Sequence, residues 1–143
     1  MRRAFLALLI ALAIGGSASA SDVAIYVIPQ PGTPISITSC TLKKQAVQLA
    51  RGVYVHGVNF GVEFRNDSAK SAVAVMFQFT MSDGFGTVLD TRLRESLGSF
   101  SPGVVVGNIH WLEVDSWPTL AEMGCSVQRV RFQDGTIWTS TPG

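Results

Sequence analysis

The chain has 143 residues, with 11 Lys and Arg against 10 Asp and Glu, so its formal net charge is +1. A near-neutral chain without a run of like charges argues against nucleic-acid binding and against an electrostatic footprint for an anionic membrane surface. The length is sufficient for one domain with a hydrophobic core of its own.

The first twenty residues have the layout of a cleavable secretory signal peptide. Met1-Arg2-Arg3 is short and positive, and an unbroken apolar run follows over 4–14. Ala18 and Ala20 form the A-x-A pattern that signal peptidase accepts, which predicts cleavage before Ser21. The alternative, a transmembrane anchor, is disfavoured because a span needs about 20 apolar residues.

Cleavage would leave a single domain over 21–143. Its formal charge becomes −1, because two of the 11 basic residues are lost with the signal and the 10 acidic residues remain. We expect a bacterial export product that is secreted or periplasmic, with no membrane span after cleavage. Its partners are then to be sought outside the cytoplasm, and no nucleic acid is expected among them.

The two cysteines, Cys40 and Cys125, are separated by 85 positions. In an oxidising compartment an even number of cysteines most simply indicates a disulfide. A pair of buried free thiols is the alternative. A metal site is less favoured, because neither cysteine has a second Cys or His at ligand spacing.

The first part of the predicted domain contains two strand signals. Residues 23–28 are β-rich and run into a Pro-rich segment, which predicts an edge strand or an ordered arm. Residues 35–42 alternate in polarity and carry the first cysteine. Residues 43–52 are mildly helix-friendly, but the stretch is too short to indicate a helix of any consequence.

The clearest strand signals lie in the middle of the chain, where 58–65 and 72–81 alternate between apolar and polar residues. Turn residues follow each of them, at Asn66-Asp67-Ser68 and Ser82-Asp83-Gly84. The first of these turns formally matches an N-glycosylation acceptor, but a turn explains it in a chain with a bacterial export signal. Residues 87–91 begin the returning strand.

The last third supplies the remaining elements. Residues 92–102 are polar and contain Gly98, which predicts a connection, and 104–114 predicts a long strand. Residues 115–124 predict a loop or a single helical turn, and 125–139 a closing hairpin around an Asp-Gly turn. About seven to eight short strands without a credible helix predict an antiparallel all-β sandwich, with a barrel as the alternative.

Four short motifs follow one another over residues 64–103: Phe64-Arg65-Asn66-Asp67-Ser68, Val73-x-Val75-x-Phe77-x-Phe79, Asp83-Gly84-Phe85-Gly86 and Phe100-Ser101-Pro102-Gly103. In this order they resemble small exported bacterial immunoglobulin-like (Ig-like) domains of the FxLYD type. The resemblance implies an Ig-like β-sandwich. It implies no active site, because such domains generally lack known catalysis.

His56 and His110 are the two histidines, and both lie in predicted strands. A small secreted hydrolase or metal-dependent enzyme built around either one would need a carboxylate such as Glu63 or Glu113 beside it. Glu113 and Asp115 fall on one strand face, and solvated edge charges explain them equally well. No Gly-x-Ser-x-Gly elbow or complete phosphate loop is present, so no reaction and no cofactor is predicted.

Trp111, Trp117 and Trp138 fall in the last third of the chain. Exposed tryptophans often stack on sugar rings or anchor a protein partner. Trp117, in a loop before Pro118, is the strongest candidate for exposure and ligand contact, although one Trp in the core and another over the disulfide is the simpler alternative. The sequence thus favours an exported, non-catalytic Ig-like binding or structural module for an unknown protein or carbohydrate, with the enzyme as the second hypothesis.

Overall fold

The computed structural model describes residues 23–114 and 117–141, and this part of the chain contains strands and turns but no helix. The predicted signal peptide, with Ala18, Ala20 and the cleavage point at Ser21, lies outside the described residues. The described strands are β1 (Ala24–Val27), β2 (Ile35–Ala50), β3 (Val53–Asn66), β4 (Ala72–Ser82), β5 (Val88–Phe100), β6 (Val105–Glu113), β7 (Glu122–Phe132) and β8 (Ile137–Thr139).

The strands form two packed sheets, which confirms the all-β sandwich. One sheet has the order β1-β7-β4-β5, with β8 also paired to β7, and the other has the order β2-β3-β6. The pairs are antiparallel except that β1 runs parallel to β7, with Ala24 opposite Glu122. A parallel pair needs a crossover, and here the chain leaves β1 through prolines and enters the opposite sheet. The predicted edge position of this first strand is confirmed.

β2 continues well beyond the predicted strand over 35–42. Residues 43–50 are extended and hydrogen-bonded to β3, so the helix-friendly composition of 43–52 is overridden by strand pairing. The two strands are joined through Arg51 and Gly52. Gly52 has φ 77°, in the left-handed region where glycine avoids the steric cost of a Cβ.

The connection predicted over 92–102 is wrong. Residues 92–100 belong to β5, which pairs with β4 from Val88 to Phe100, and only the end of the predicted segment leads into a turn at Pro102 and Gly103. The polarity that indicated a connection belongs to residues of β5 that point inward at the open edge of the sandwich, where Arg92 and Arg94 meet Glu113 of β6.

Facing phenylalanines from the two sheets form the centre of the core. Phe60 of β3 stacks on Phe79 of β4 at 4.9 Å between ring centroids, and Phe64 lies 5.2 Å from Phe77. All four side chains are fully buried. Burial of one such side chain contributes about 1.5–3 kcal/mol. The alternation predicted in these two strands therefore identified the residues that hold the sheets together.

The two cysteines lie in different sheets. Cys40 of β2 and Cys125 of β7 form a disulfide with a Cα–Cα distance of 6.6 Å, which agrees with the predicted pair. Cys125 is fully buried. The bond fixes the first half of β2 over the opposite sheet.

The fully buried side chain of Asn66 connects three segments at one end of the sandwich. Its Nδ2 donates to the backbone carbonyls of Lys70 and Phe100, both at 2.8 Å. Its Oδ1 accepts from the backbone N–H of Ser68 at 3.0 Å and from the Ser68 hydroxyl at 2.7 Å. The turn predicted at 66–68 is confirmed, and an amide engaged in this way is not accessible for glycan attachment.

Replacement of Asn66 by Ala is expected to lower the free energy of unfolding by about 3 kcal/mol. The change leaves the buried carbonyl of Phe100 without its donor and removes the acceptor of Ser68, at about 1–3 kcal/mol for each buried group left unpaired. Urea unfolding of both variants measures the effect, with Ser68→Ala as the control at about 1 kcal/mol. Equal losses for the two variants would contradict the central role of the Asn66 amide.

Asp134 stabilises the Asp-Gly turn between β7 and β8, at the same end of the sandwich as Asn66. Gly135 in this turn has φ 85°. Its carboxylate contacts Lys70 Nζ at 2.7 Å, and accepts hydrogen bonds from the Thr136 N–H at 2.9 Å and the Thr136 hydroxyl at 2.6 Å. The hydrogen bond from Lys70, followed by those from Thr136, holds the pKa of Asp134 well below its usual value of 3.8. The turn predicted from the sequence is confirmed.

Because the pKa of Asp134 is lower in the folded than in the unfolded state, its contribution to stability is present at neutral pH. That contribution is lost as the pH falls from about 4 through the folded-state pKa. The Lys70 and Asp134 side chains are about half exposed, at 51% and 47%, so a site-resolved measurement is needed. In a ¹³C NMR titration, Lys70→Met should shift the Asp134 midpoint upward toward 3.8. An unchanged midpoint would exclude Lys70 as the main cause.

Candidate functional site

The two histidines lie on opposite faces of the three-stranded sheet. His56 of β3 shares a face with the core residue Phe60, four positions along the strand, whereas His110 of β6 pairs with Gly61 on the other face. Both histidines are exposed. One site cannot contain both.

The carboxylates considered as their partners are engaged elsewhere. Glu63 accepts a hydrogen bond from the Thr38 hydroxyl at 2.9 Å, and Glu113 forms ion pairs with two arginines. No described ion pair joins a histidine to a carboxylate. Within residues 23–114 and 117–141, no cluster of three or more His, Cys, Asp or Glu side chains could hold a metal ion.

Glu113 instead belongs to an ion-pair network at the open edge between β5 and β6. Its side chain is only 10% exposed and contacts Arg94, and it lies 3.2 Å from Arg92 Nε. Arg92 also contacts Asp90 at 2.9 Å. The interpretation of Glu113 as a solvated edge charge is therefore wrong. Asp115 lies outside the described residues.

Trp117 is half-buried rather than exposed. Its ring lies 6.2 Å from that of Phe60, Arg92 lies over it at 5.7 Å, and its Nε1 donates to Asp90 at 3.3 Å. Trp111 packs even closer to the core, between Phe77 and Phe79. Trp111 and Trp117 thus pack against the core, which agrees with the part of the simpler alternative that places one Trp there.

A small hollow brings Trp117 and His56 together at the base of the β2–β3 hairpin, where Lys44 and Pro118 also line it. Its volume is about 190 Å³. Pockets that hold small-molecule ligands usually exceed about 300 Å³. This hollow joins two of the residues singled out in the sequence, but it is too small for such a ligand.

A larger groove crosses the outer face of the five-stranded sheet, with a volume of about 380 Å³. One row of paired residues runs across four strands, from Ile137 of β8 through Arg131 of β7 and Ala74 of β4 to Leu97 of β5. Its two ends are about 14 Å apart, at about 4.8 Å for each strand spacing. We call this feature the Arg groove. The residues that line it are Val73, Ala74, Met76, Glu95, Leu97, Arg129, Arg131 and Ile137.

The Arg groove combines apolar walls with two arginines and one acid, Glu95, so its charge is positive on balance. Two large aliphatic side chains of its walls, Leu97 and Ile137, are 72% and 59% exposed. Arg129 and Arg131 project to the same side of β7 and form no ion pair with a described carboxylate. Sequence reasoning missed this groove. The alternation of Arg129 and Arg131 around Val130 was a visible signal, but Leu97 lay in a segment predicted to be a connection.

A second distinctive surface is the distal part of the β2–β3 hairpin, residues 43–57, which we call the arm. β6 ends at Glu113, opposite Val58, so the arm extends beyond its neighbour in the sheet. Most of its residues are exposed, and its end carries Leu49, Val53 and Tyr54 at 59%, 50% and 64% exposure.

Comparison with models of protein families, with curated proteins and with solved structures finds no match to this chain. The FxLYD-like and Ig-like assignments therefore stay predictions beyond the sandwich itself. In the part of the chain that the structure describes, no helix is long and apolar enough to cross a membrane.

Replacement of Glu113 by Ala is expected to lower the free energy of unfolding by about 1–3 kcal/mol. The loss of one partner of a buried ion pair costs about 3–5 kcal/mol, and the one-third exposure of Arg92 and Arg94 reduces this cost. Glu95→Ala, at an exposed position of the neighbouring strand, serves as the control and should change stability by no more than about 0.5 kcal/mol. Thermal and urea unfolding measure both variants. Equal effects would show that the network contributes nothing measurable.

Proposed function

We propose that this protein is an exported, non-catalytic binding module with an Ig-like β-sandwich, and that its Arg groove binds an extended acidic and apolar segment of a partner protein. The observation that carries the proposal is that Arg129 and Arg131 lie in a largely apolar groove and form no ion pair with a carboxylate among the described residues. Guanidinium groups bind carboxylates in a bidentate geometry, and the surrounding apolar surface strengthens such contacts by excluding water.

The shape of the Arg groove favours a polypeptide segment. Arg129 and Arg131 are two positions apart on one strand, a spacing of about 7 Å, which matches acidic side chains at alternate positions of an extended segment. Leu97 and Ile137 offer apolar contacts on either side. Glu95 lies at the β5 side of the groove and would repel an acidic residue there, so it would fix the orientation of the segment.

A carbohydrate partner in the Arg groove is less favoured, because no aromatic side chain lines that groove. The alternative of a small secreted hydrolase or metal-dependent enzyme at His56 or His110 gains no support from geometry, since Glu63 and Glu113 contact other residues and no described ion pair joins either histidine to a carboxylate.

Site-specific photo-cross-linking in the producing cells tests the proposal. A benzophenone amino acid at position 97 should give a discrete cross-linked protein, and the same group at position 85 should not, although Phe85 is 97% exposed. Charge reversal at both Arg129 and Arg131 should abolish the cross-link, whereas Arg65→Glu on the other sheet should not. A cross-link that survives reversal of both groove arginines would refute the role of the groove.

Export is tested on the same material by N-terminal sequencing, which should begin at Ser21. A chain that keeps its first twenty residues, or stays in the cytoplasm, would overturn the export half of the proposal while leaving the groove test intact.

A further inference from the structure

The arm carries only positive charges. Residues 43–57 contain Lys43, Lys44 and Arg51, and no Asp or Glu is present anywhere from residue 23 to residue 62. The near-neutral net charge of the whole chain conceals this segregation. Arg51 lies in the turn, beyond the end of β6, whereas Lys43 and Lys44 lie opposite Asn59 and Val58, which still pair with β6. The cation at the tip acts on the surroundings with little compensation.

The tip of the arm is apolar on more than one side. Tyr54 pairs with Gln48 on one face of the hairpin, whereas Val47 and Val55 pair on the other. Leu49 lies at the register shift beside the turn and is 59% exposed. A rigid protein surface would cover one face of such a tip and leave the other in water. An apolar medium that surrounds the tip, such as the acyl region of a bilayer, can bury apolar groups on both faces at once.

The residue types at the tip match the boundary between lipid headgroups and acyl chains. Tyrosine favours this boundary, because its ring is apolar and its hydroxyl is polar. Arg51 sits in the turn itself, where its guanidinium can contact lipid phosphates while Leu49 and Val53 insert. Interfacial elements that combine basic and apolar side chains bind anionic bilayers in this way.

We propose that the arm docks this protein on an anionic lipid bilayer by inserting its tip at the headgroup boundary. The arm extends about 17 Å past Gly57, at about 3.4 Å per residue, which is enough for insertion by about 5–10 Å without contact by the sandwich. Arg51 then lies among the headgroups. Lys43 and Lys44 stay at the base, at or beyond a Debye length of about 8–10 Å from the surface, and contribute less.

This surface is independent of the Arg groove, which lies on the other sheet. The two proposals can therefore fail separately. A variant of Leu97 tests specificity, since Leu97 is an exposed leucine like Leu49 but sits in the groove.

Flotation of the purified exported protein with lipid vesicles tests the arm. One set of vesicles contains phosphatidylcholine only, and the other contains phosphatidylglycerol at about one third of the lipid. The protein should bind the second set, and added salt should weaken binding. Leu49→Ser should lower the partition coefficient about tenfold, and Arg51→Gln about fivefold. The Lys43→Gln, Lys44→Gln double variant should lower it less than Arg51→Gln.

Leu97→Ser is the matched control and should bind vesicles like the unmodified protein. Folding of each variant is checked by its unfolding midpoint, and Tyr54→Ser replaces Leu49→Ser if the latter unfolds. Absence of binding to anionic vesicles would overturn the proposal. The arm would then be expected to contact an acidic protein surface instead. Equal losses from Leu49→Ser and Leu97→Ser, or no loss from either tip variant, would also overturn it.

Discussion

One covalent bond, between Cys40 of β2 and Cys125 of β7, ties the two sheets of the sandwich together. A disulfide that closes a loop of 85 residues stabilises the folded state by about 4 kcal/mol in the chain-entropy model. It holds the first half of β2 against the opposite sheet. The second half has no such support, since it pairs with β3 alone, and so it forms the arm. On the far face of β7, the same strand presents Arg129 and Arg131.

β5 carries charged residues on its inward face and apolar residues on its outward face, because it lies at an open edge of the sandwich. Its inward residues include Arg92 and Arg94, which are half-buried and meet Glu113 across the gap between the sheets. Its outward residues include Leu97, which remains exposed. The ion pairs, together with the Trp117 ring beneath Arg92, thus close this edge of the sandwich. The same alternation places a large aliphatic side chain on the outer face and creates one wall of the Arg groove.

The sequence predicted those features that depend on local pattern or on pairing of rare residues. Alternation in β3 and β4 identified Phe60, Phe64, Phe77 and Phe79 as core residues, and two cysteines in an expected oxidising compartment identified the disulfide. Prediction failed for strands that do not have one buried apolar face and one exposed polar face. Residues 92–100 of β5 predict a connection because charged residues point inward there, and the sequence does not reveal the arm because both of its faces are exposed. The Arg groove depends on register across four strands, which no single segment encodes.

The net charge of +1 conceals a segregation of charge along the chain. Residues 23–62 hold three cations and no acid, whereas residues 63–143 hold six Lys and Arg against nine Asp and Glu, a difference of −3. Screening limits each surface to the charges within about 8–10 Å, so the arm and the opposite sheet present different fields to their surroundings. Several acidic residues within 63–143, including Glu113 and Asp134, already form ion pairs inside the protein. The charges that can bind a partner are therefore those that have no such ion pair. By that criterion Arg51, Arg129 and Arg131 matter more than any total taken over the chain.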